Sequence, residues 1–586
     1  MSTNKTKNQL TESFDGFSGI DTTSPIGSGR LTALKNFRLL GDGSAVKRSG
    51  FRHICTFAGE LRGEKSYADK NEEVILAAVG KTLVRISVAD GAILASEVFS
   101  KSTGAVKFFE FGGDLYILEG ADIYRYLGGC EAERCIPYVP LYGTQWDIGE
   151  TAGTVNYPMN MLAPKIRISY TANSLYVRTL AVGMKIKSID AIVYRGEALP
   201  SGMYRIHGDG DKVIVDSFFI DGDIELYVTV DTEDYRCSDF EICDKTRVFD
   251  AFEDSRVFAY GGSVNERTYV SLPVKNADVE AQNKLFGKIA PLYFPKTAPV
   301  NFSGLGKITD MKRVYDRMFV FSEHRSWATE SLRSEEGRTA MIPIFETAVE
   351  TVGCASDGAS EIIDGNDLIT VSHGGVIKWS VDRDFQAEIR QSRLSAKVGG
   401  LFDADFVKNA VTCYNRGENE LWIAHVGSEN GLVAVYNCAN GGWYTFEGIP
   451  AESFLKIGEH VAFRSGKSYY VFDTDEGYDV FEDGEREIEA VIESAGFDFS
   501  SPAEKKHIGR AFVTCDVGDG VITLELSDGE RLIFAELKKS DASKFHDGVD
   551  FFDLDVRTGR SERMKFKLFT GGRSIKRIYR VEFIAD

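Results

Sequence analysis

The sequence predicts an all-β fold: a discontinuous β-propeller with an inserted β-sandwich and a C-terminal β-sandwich. Three observations indicate this fold. Short β-rich runs recur at intervals typical of propeller blades. The pattern of predicted strands changes at two points along the chain, and helical periodicity is scarce. The 586 residues also include 39 Phe and 24 Tyr, which suit half-buried strands, and only 13 Pro.

The recurring unit consists of a turn, a strand, a tight turn and a second strand. Each unit is entered from a Gly, Asp or Asn turn. Six of its strands are predicted at residues 83–86, 114–118, 256–260, 317–321, 367–371 and 420–424. Repetition of one strand unit at a regular spacing is typical of the blades of a propeller.

These patterns divide the chain into five parts. Residues 1–13 begin with a polar segment and are expected to be disordered. The strand pairs of the propeller occupy 14–140 and 246–480. Residues 141–245 are predicted to form a connector and the inserted sandwich, because strands there alternate cleanly between Gly-Asp turns. Residues 481–586 are predicted to form the C-terminal sandwich.

Composition excludes several classes of protein. No apolar run reaches the length of a membrane span, and the N-terminus lacks the apolar core of a signal peptide, so we expect no membrane anchor and no secretion by that route. Nine scattered Cys predict reduced structural thiols made in a cytosol. A formal charge of -20 argues against tight nucleic-acid binding.

Common catalytic signatures are absent, and the sequence predicts no enzyme activity, cofactor or metal. Residues 80–82 and 466–468 resemble the end of a phosphate-binding loop but lack its first Gly. The acidic stretch from Asp473 fails the calcium-loop pattern because Gly484 stands at its twelfth position. A glycosidase pair of carboxylates stays open as an alternative, because pairing across strands is invisible in a sequence.

Acidic residues are concentrated in two runs. Residues 473–498 carry eleven acids against one base, and residues 205–245 carry twelve acids against four bases. The acidic candidates for a lumen or an interface are Asp209, Asp211, Asp221, Asp223, Asp473, Asp475, Asp479, Glu482 and Asp483. Solvated strand faces and loops are the alternative interpretation of both runs.

The C-terminal end reverses this balance, with nine bases and one acid between residues 557 and 580. Strand alternation places Lys565 and Lys567 on one face and apolar side chains on the other. The predicted interface consists of Arg557, Arg563, Lys565, Lys567, Lys576 and Arg577. Its partner would be the 473–498 run of the next subunit or an adjoining ring. A solvated basic strand without a partner is the alternative.

Short motifs also follow one another in a particular order. The first are residues 14–21 (FDGFSGID), 33–37 (ALKNF) and 43–51 (GSAVKRSGF). The later ones are 254–258, 293–295, 307–311, 317–323, 352–355, 373–376, 497–499 and 505–506. This series resembles the tail nozzle or hub proteins of short-tailed bacteriophages, also called tail tubular protein B or packaged-DNA stabilisation proteins. Ser49 departs from the pattern, since such proteins often carry Pro there.

The resemblance implies a structural protein of the virion tail, synthesised in the host bacterial cytoplasm. It implies a homohexameric ring below the portal and adaptor rings, in contact with tail fibre or tip proteins. Duplex DNA would be retained by this ring and ejected through its lumen without tight binding, which an acidic wall favours. The alternatives are a tail-borne propeller that binds or depolymerises glycans, and a cytosolic propeller that serves as a protein-interaction scaffold.

Overall fold

The computed structural model describes residues 9–585 with internal gaps. The gaps are residues 24–29, 148–153, 156, 177–178, 217–218, 250–254, 298, 303–305, 316, 330–344, 364–366, 382–388, 519 and 545–548. Strands dominate the described residues, so the prediction of an all-β class is confirmed. No helix among them is long and apolar enough to cross a membrane.

Six separate four-stranded antiparallel sheets can be traced in the described part of the chain, and a seventh four-stranded unit, sheet 6, is the first part of a nine-stranded sheet. Sheet 1 comprises Leu61–Asp69, Glu72–Val79, Thr82–Ser87 and Ile93–Glu97; sheet 2, Val106–Phe111, Asp114–Glu119, Asp122–Gly128 and Glu131–Arg134; sheet 3, Lys245–Phe249, Arg256–Gly261, Val264–Val270 and Pro299–Asn301; sheet 4, Ile308–Val314, Arg317–Ser322, Ser326–Thr329 and Phe345–Val349; sheet 5, Ser360–Ile363, Asp367–Ser372, Gly375–Val381 and Ile389–Arg393; sheet 6, Ala410–Asn415, Glu420–His425, Val433–Asn437 and Trp443–Phe446; sheet 7, Ser453–Ile457, His460–Ser465, Ser468–Val471 and Arg52–Thr56.

The seven sheets follow one another in a ring. The first strand of each sheet contacts the first strand of the next, and that of sheet 7 returns to sheet 1. Strand Arg52–Thr56 precedes sheet 1 in the chain but pairs with Ser468–Val471, so sheet 7 is built from both sides of the closure. A ring of four-stranded sheets is an arrangement of the β-propeller type.

Residues 141–230 form two sheets of their own. The larger contains, in spatial order, Thr154–Val155, Leu141–Asp147, Lys165–Tyr176, Phe219–Val230, Ile186–Tyr194 and Glu197–Ala198; the smaller contains Thr179–Ala181, Lys212–Val215 and Tyr204–Ile206. Apolar residues from both sheets, among them Ile168, Leu226 and Val213, form one separate core. In Phe219–Val230, the alternate residues Ile224, Leu226, Val228 and Val230 belong to that core, as strand alternation requires.

The C-terminal residues form two further sheets, and strands from the N-terminus belong to both. One sheet orders Phe37–Leu39, Ala45–Lys47, Arg577–Ala585, Ile508–Asp516, Asp550–Asp555 and Ser543–Lys544, with Leu10–Asp15 also paired to Arg577–Ala585. The other continues sheet 6 beyond Trp443–Phe446 through Leu31–Lys35, Ala490–Ser494, Lys565–Thr570, Val521–Ser527 and Leu532–Lys538. The propeller and the C-terminal sheets therefore share one continuous core.

The N-terminal boundaries differ from the prediction. Leu10–Asp15 is a strand that pairs from Leu10 with Ala585, whereas the sequence pattern predicts disorder up to residue 13. Phe14 lies edge to face with Phe566, with ring centroids 4.7 Å apart. The segment before Arg52–Thr56 thus belongs with the C-terminal sheets and not with the first part of the propeller. Its partners lie at the other end of the chain, where no local pattern can reveal them.

The remaining elements are short. The helices are Ser238–Glu241, Asn276–Phe286 and Ala404–Lys408, with 3-10 turns at Ser201–Met203, Leu394–Leu401 and Lys539–Asp541. Tyr478–Phe481 and Gly484–Glu487 form an isolated hairpin, and Ile136–Pro137 pairs in parallel with Ile289–Ala290. On helix Asn276–Phe286, buried Gln282 bonds both the N–H and the C=O of Val139 at 3.0 Å, which anchors the helix to the connector.

Candidate interaction surfaces

Paired charges connect the first strands of the sheets in the ring. Nζ of Lys456, on the first strand of sheet 7, lies 3.1 Å from Oε1 of Glu361, on the first strand of sheet 5. Sheet 6 lies between these two sheets, so this pair spans one sheet of the ring. Lys65 and Glu110 connect the first strands of the adjacent sheets 1 and 2 at 3.0 Å. Both pairs therefore link sheets that lie close together in the ring.

Asp310 is a buried carboxylate on the first strand of sheet 4, with 1% of its side chain exposed. It accepts hydrogen bonds from Arg247 at 3.0 Å, Tyr260 at 3.1 Å and Ser360 at 2.7 Å. Burial alone would raise the pKa of the Asp310 carboxyl, but the charges of Lys312 and Arg247 outweigh it and hold that pKa well below its ordinary value. The network joins sheets 3, 4 and 5 and is structural in character.

Asp479 is placed differently from its predicted role in an acidic lumen or interface. Its carboxylate is 5% exposed and forms a two-oxygen ion pair with Arg48, at 2.7 Å and 2.8 Å. The prediction is therefore wrong for this residue, because a fully paired and buried carboxylate faces neither a lumen nor a partner. The pair instead joins the isolated hairpin to the N-terminal segment.

Other members of the 473–498 run are partly neutralised at the surface. Asp473 pairs with Arg52 at 2.6 Å, and Asp483 pairs with Arg486 at 2.9 Å. Glu482 accepts a hydrogen bond from the Thr56 hydroxyl at 2.8 Å, and Asp475 is exposed. The exposed ones remain candidates for an outward acidic face.

Of the acidic candidates in residues 141–230, Asp209 and Asp211 precede strand Lys212–Val215, whereas Asp221 and Asp223 lie within strand Phe219–Val230 and not on the predicted turn. Asp209 and Asp223 are exposed, and Asp209 lies 3.2 Å from the ring nitrogen of His207. Asp211 is half-buried, with one carboxylate oxygen enclosed. The side chain of Asp221 lies outside the described residues.

Two of the six basic interface candidates are engaged within the chain. Lys576 is fully buried and donates to the carbonyls of Gly571 at 2.5 Å and Val521 at 3.3 Å. Arg577 pairs with Asp42 and donates to the Ser44 hydroxyl at 2.8 Å. The interface prediction is wrong for Lys576, because a buried ammonium bonded to carbonyls has no surface to offer, and Arg577 is largely committed to the N-terminal turn.

The predicted alternation of strand Lys565–Thr570 is confirmed. Met564, Phe566 and Leu568 are buried, whereas Lys565 is exposed on the opposite face. Lys567 is half-buried and stands between Glu493 and Glu525 on the two neighbouring strands. Two acidic residues therefore flank Lys567, whereas Lys565 lies opposite Ser527 and has no ion-pair partner among the described residues. Arg557 and Arg563 are also exposed, although Arg557 lies 3.4 Å from Asp555.

An exposed apolar patch lies beside this basic strand and was not predicted. Strand Leu532–Lys538 ends the sheet and pairs, among the described residues, with Val521–Ser527 alone. Leu532 and Phe534 are 57% and 58% exposed. The register puts Ser527 between Lys565 and Leu532, so the cationic and apolar side chains share one sheet face. We call Leu532, Phe534 and Lys565 the edge patch.

The edge patch has a signal in the sequence. Residues 532–535 read Leu-Ile-Phe-Ala, so both faces of the strand are apolar where alternation would leave one polar. Proteins ordinarily protect an edge strand with charges, bulges or a covering element, because its free backbone groups invite pairing with another chain. The apolar half of this edge strand, ahead of Glu536 and Lys538, is therefore a candidate interface.

The cysteines do not form a reactive site among the described residues. All nine are free thiols, and most are buried. Burial raises the pKa of the Cys55 and Cys135 thiols to about 11. Because the thiolate is the nucleophile, such groups are poorly reactive at neutral pH.

No protein-family model and no curated protein matches this chain. Solved structures similar to it include the β-propeller domain of Cps50 (Swd1) from Myceliophteria thermophila, at 8% identity over 72% of this chain and 99% of that one, with a TM-score of 0.33. The WD40 domain of SCAP from fission yeast is 9% identical over 80% and 96%, with a TM-score of 0.29. These likenesses concern the propeller type of fold and carry nothing about activity or partners.

Proposed function

We propose that the chain is a structural protein of a short-tailed bacteriophage, the subunit of the tail nozzle ring. In this proposal the seven sheets are the blades of one discontinuous propeller, residues 141–230 are a sandwich inserted after the second blade, and the C-terminal sheets form a second sandwich. The chain acts as a building block and performs no chemistry.

The observation that carries the proposal is the position of the motif residues behind the resemblance. Phe51 is fully buried and lies edge to face with four aromatic rings, those of Phe463, Tyr470, Phe472 and Phe481. Arg48 forms an ion pair with Asp479, and the ring of Phe497 stacks on that of Phe583 with centroids 5.3 Å apart. Residues of the ordered motifs thus contribute to the packing of sheet 7, of the isolated hairpin and of the C-terminal sheets. A protein in which a propeller is joined to C-terminal sheets requires such packing residues. A propeller by itself does not require them.

In this proposal the channel for duplex DNA has to lie between copies of the chain. That requirement favours a ring of subunits, six in number by the resemblance, over a monomer. The surplus of 20 negative charges in each copy makes such a lumen repel phosphates, which keeps a passing duplex from adhering.

A ring needs a heterologous contact, in which one surface of a subunit meets a different surface of the next. We propose the edge patch as one side of that contact, because it combines exposed apolar area with the free charge of Lys565. The exposed acids near the isolated hairpin, such as Glu482 and Asp483, supply charge of the opposite sign for the neighbouring copy. The portal-side adaptor and the tail fibre or tip proteins would dock on the faces of the finished ring.

The test is assembly of the purified full chain, followed by native mass spectrometry and negative-stain microscopy. Wild-type protein is expected to form rings, alone or when mixed with the adaptor ring. The double variant Leu532→Lys/Phe534→Lys is expected to keep its circular dichroism spectrum and melting temperature but remain monomeric. Lys565→Glu should weaken assembly in the same direction.

A matched control is available on the outer strand of sheet 1. Ile93 and Leu94 are 45% and 49% exposed, and Ile93→Lys/Leu94→Lys adds the same charge at another edge. This control should assemble like wild type. A chain that stays monomeric at every concentration and with the adaptor present would contradict the ring, and polysaccharide depolymerisation by the purified protein would favour the glycan-active alternative.

A further inference from the structure

Three potential metal ligands from two adjacent sheets meet at one surface of the propeller. Glu323 and His324 lie in the turn between the second and third strands of sheet 4, and His373 lies in the corresponding turn of sheet 5. Their ligand atoms are all within 4.8 Å of one another. The cluster thus depends on the packing of two sheets and not on a local sequence pattern.

The geometry is close to what a tetrahedral ion requires. Nε2 of His373 lies 2.8 Å from Oε1 of Glu323, and Nε2 of His324 lies 3.9 Å from the same oxygen. The two imidazole rings are 4.8 Å apart, with 31° between their planes. Zinc bonds of about 2.0–2.2 Å place neighbouring ligand atoms roughly 3.3 Å apart, between the two observed separations. Small rotations of the exposed side chains would bring all three to one ion.

Hydrogen bonds and close packing fix the backbone of the two turns that carry the cluster. In sheet 4, the N–H of Ser322 donates to Arg325 O at 2.9 Å, and the N–H of Cys354 donates to Ser322 O at 2.8 Å. Gly353 packs so closely that a Cβ there would lie 2.1 Å from Ser322 O. In sheet 5, the Ser372 hydroxyl bonds Gly375 O at 3.1 Å across the turn. Both turns are therefore positioned before any ligand arrives, which reduces the ordering that binding requires.

We propose that Glu323, His324 and His373 bind a divalent transition-metal ion, with zinc as the best match, that joins sheets 4 and 5. Two imidazoles and one carboxylate are a common zinc ligand set, and they leave a fourth position open to water or to a ligand from another molecule. Hard oxygen-seeking ions such as magnesium and calcium are disfavoured by the two nitrogen ligands. The proposal does not depend on the ring described above, because it concerns a site within one chain.

The test is titration of the reduced full chain with zinc by calorimetry at pH 7.5, and with cobalt by visible absorption, which reports the coordination geometry. Wild type is expected to bind one ion in the micromolar range or tighter, with a rise in melting temperature. His373→Ala, His324→Ala and Glu323→Gln should each weaken binding at least about tenfold, since even loss of an outer contact to a ligand costs about 10- to 100-fold.

His207→Ala provides the matched control. His207 is a partly exposed imidazole 3.2 Å from a carboxylate, that of Asp209, but it belongs to no such three-ligand cluster among the described residues. This variant should bind like wild type. The melting temperatures of all variants without metal should also agree with wild type, since the three ligands are surface side chains. Absence of binding in wild type, or binding that persists in both His373→Ala and His324→Ala, would overturn the proposal.

Discussion

At the residue scale, buried charged side chains stabilise contacts between neighbouring sheets of the propeller. Asp310, in sheet 4, illustrates this, because its carboxylate receives hydrogen bonds from residues of sheets 3 and 5. Removing one partner from a buried ionic network leaves an uncompensated charge, and that is costlier than losing an exposed pair. The same logic applies to Arg48 and Asp479 at the join to the hairpin.

We expect Asp310→Asn to lower the free energy of unfolding by about 3 kcal/mol. The amide keeps the size of the side chain but leaves Arg247 and Lys312 without their counter-charge. The pKa of Asp310 is depressed in the folded state, so its contribution is present above the unfolded pKa of about 4 and is lost as pH falls through the folded value. Urea denaturation at pH 7 and pH 3 measures both effects.

Asp483→Asn is the control for this variant, because Asp483 pairs with Arg486 while 71% exposed. An exposed pair contributes about 0–1 kcal/mol, so this substitution should leave the urea midpoint almost unchanged. Equal losses in the two variants would mean that the Asp310 network does not stabilise the ring of sheets.

Lys107 gives a pH dependence of the same sign in the alkaline range. Burial lowers the pKa of Lys107 to about 8, and its ammonium donates to Cys243 O at 2.7 Å. Between pH 8 and the unfolded value of about 10.4, the folded state binds fewer protons than the unfolded state, so stability rises with pH. The difference in unfolding free energy between wild type and Lys107→Met should therefore shift by up to about 3 kcal/mol in favour of wild type over this interval.

The comparison with Lys107→Met is needed because buried Tyr and Cys residues titrate in the same range and act in the opposite direction. Their effects are common to both proteins and cancel in the difference. A difference that stays constant from pH 7 to pH 10.5 would show that the Lys107 ammonium is not disfavoured by burial.

At the element scale, close backbone contact is as important as side-chain packing. Gly50 precedes the strand that completes sheet 7, and a Cβ placed on it would lie 1.7 Å from Tyr478 O. The chain can therefore pass the isolated hairpin only where no side chain is present. This close approach explains a glycine at residue 50 without any need for positive φ.

Gly50→Ala is expected to destabilise the protein by about 1–3 kcal/mol or more, because the hairpin must shift away from the strand. Gly41→Ala is the matched control, since no atom lies within 4 Å of its added Cβ and its effect should be within about 0.5 kcal/mol. Differential scanning calorimetry of the two variants distinguishes them. A harmless Gly50→Ala would contradict the close packing of hairpin and strand.

The elements that the sequence predicts well are those buried on both faces. Arg317–Ser322, Asp367–Ser372 and Glu420–His425 are second strands between neighbouring sheets, and burial gives them long apolar runs. Strands such as Leu10–Asp15 and Arg52–Thr56 are less evident, because their partners are distant in the chain. The charged candidates were hardest to place, since a formal charge does not reveal whether a distant residue neutralises it, as Arg48 does for Asp479.

At the scale of the whole molecule, the acidity of the chain predicts its behaviour toward nucleic acid. With a net charge of -20, we expect no tight duplex binding at physiological salt. A fluorescence-anisotropy titration with duplex DNA should show no saturation below micromolar protein, for the monomer and for any ring it forms. Sub-micromolar affinity that falls steeply with salt would contradict this expectation.

The pairing of Leu10–Asp15 with Arg577–Ala585 has a consequence for synthesis. Leu10–Asp15 leaves the ribosome long before Arg577–Ala585, so the sheet that contains both cannot be completed until the later strand has been made. Such non-local pairing predicts slow folding, with the early strand exposed to other chains in the meantime. It also places Leu10 opposite Ala585, so a short linker between these two residues, with new termini opened in an exposed turn, should yield a circular permutant that folds.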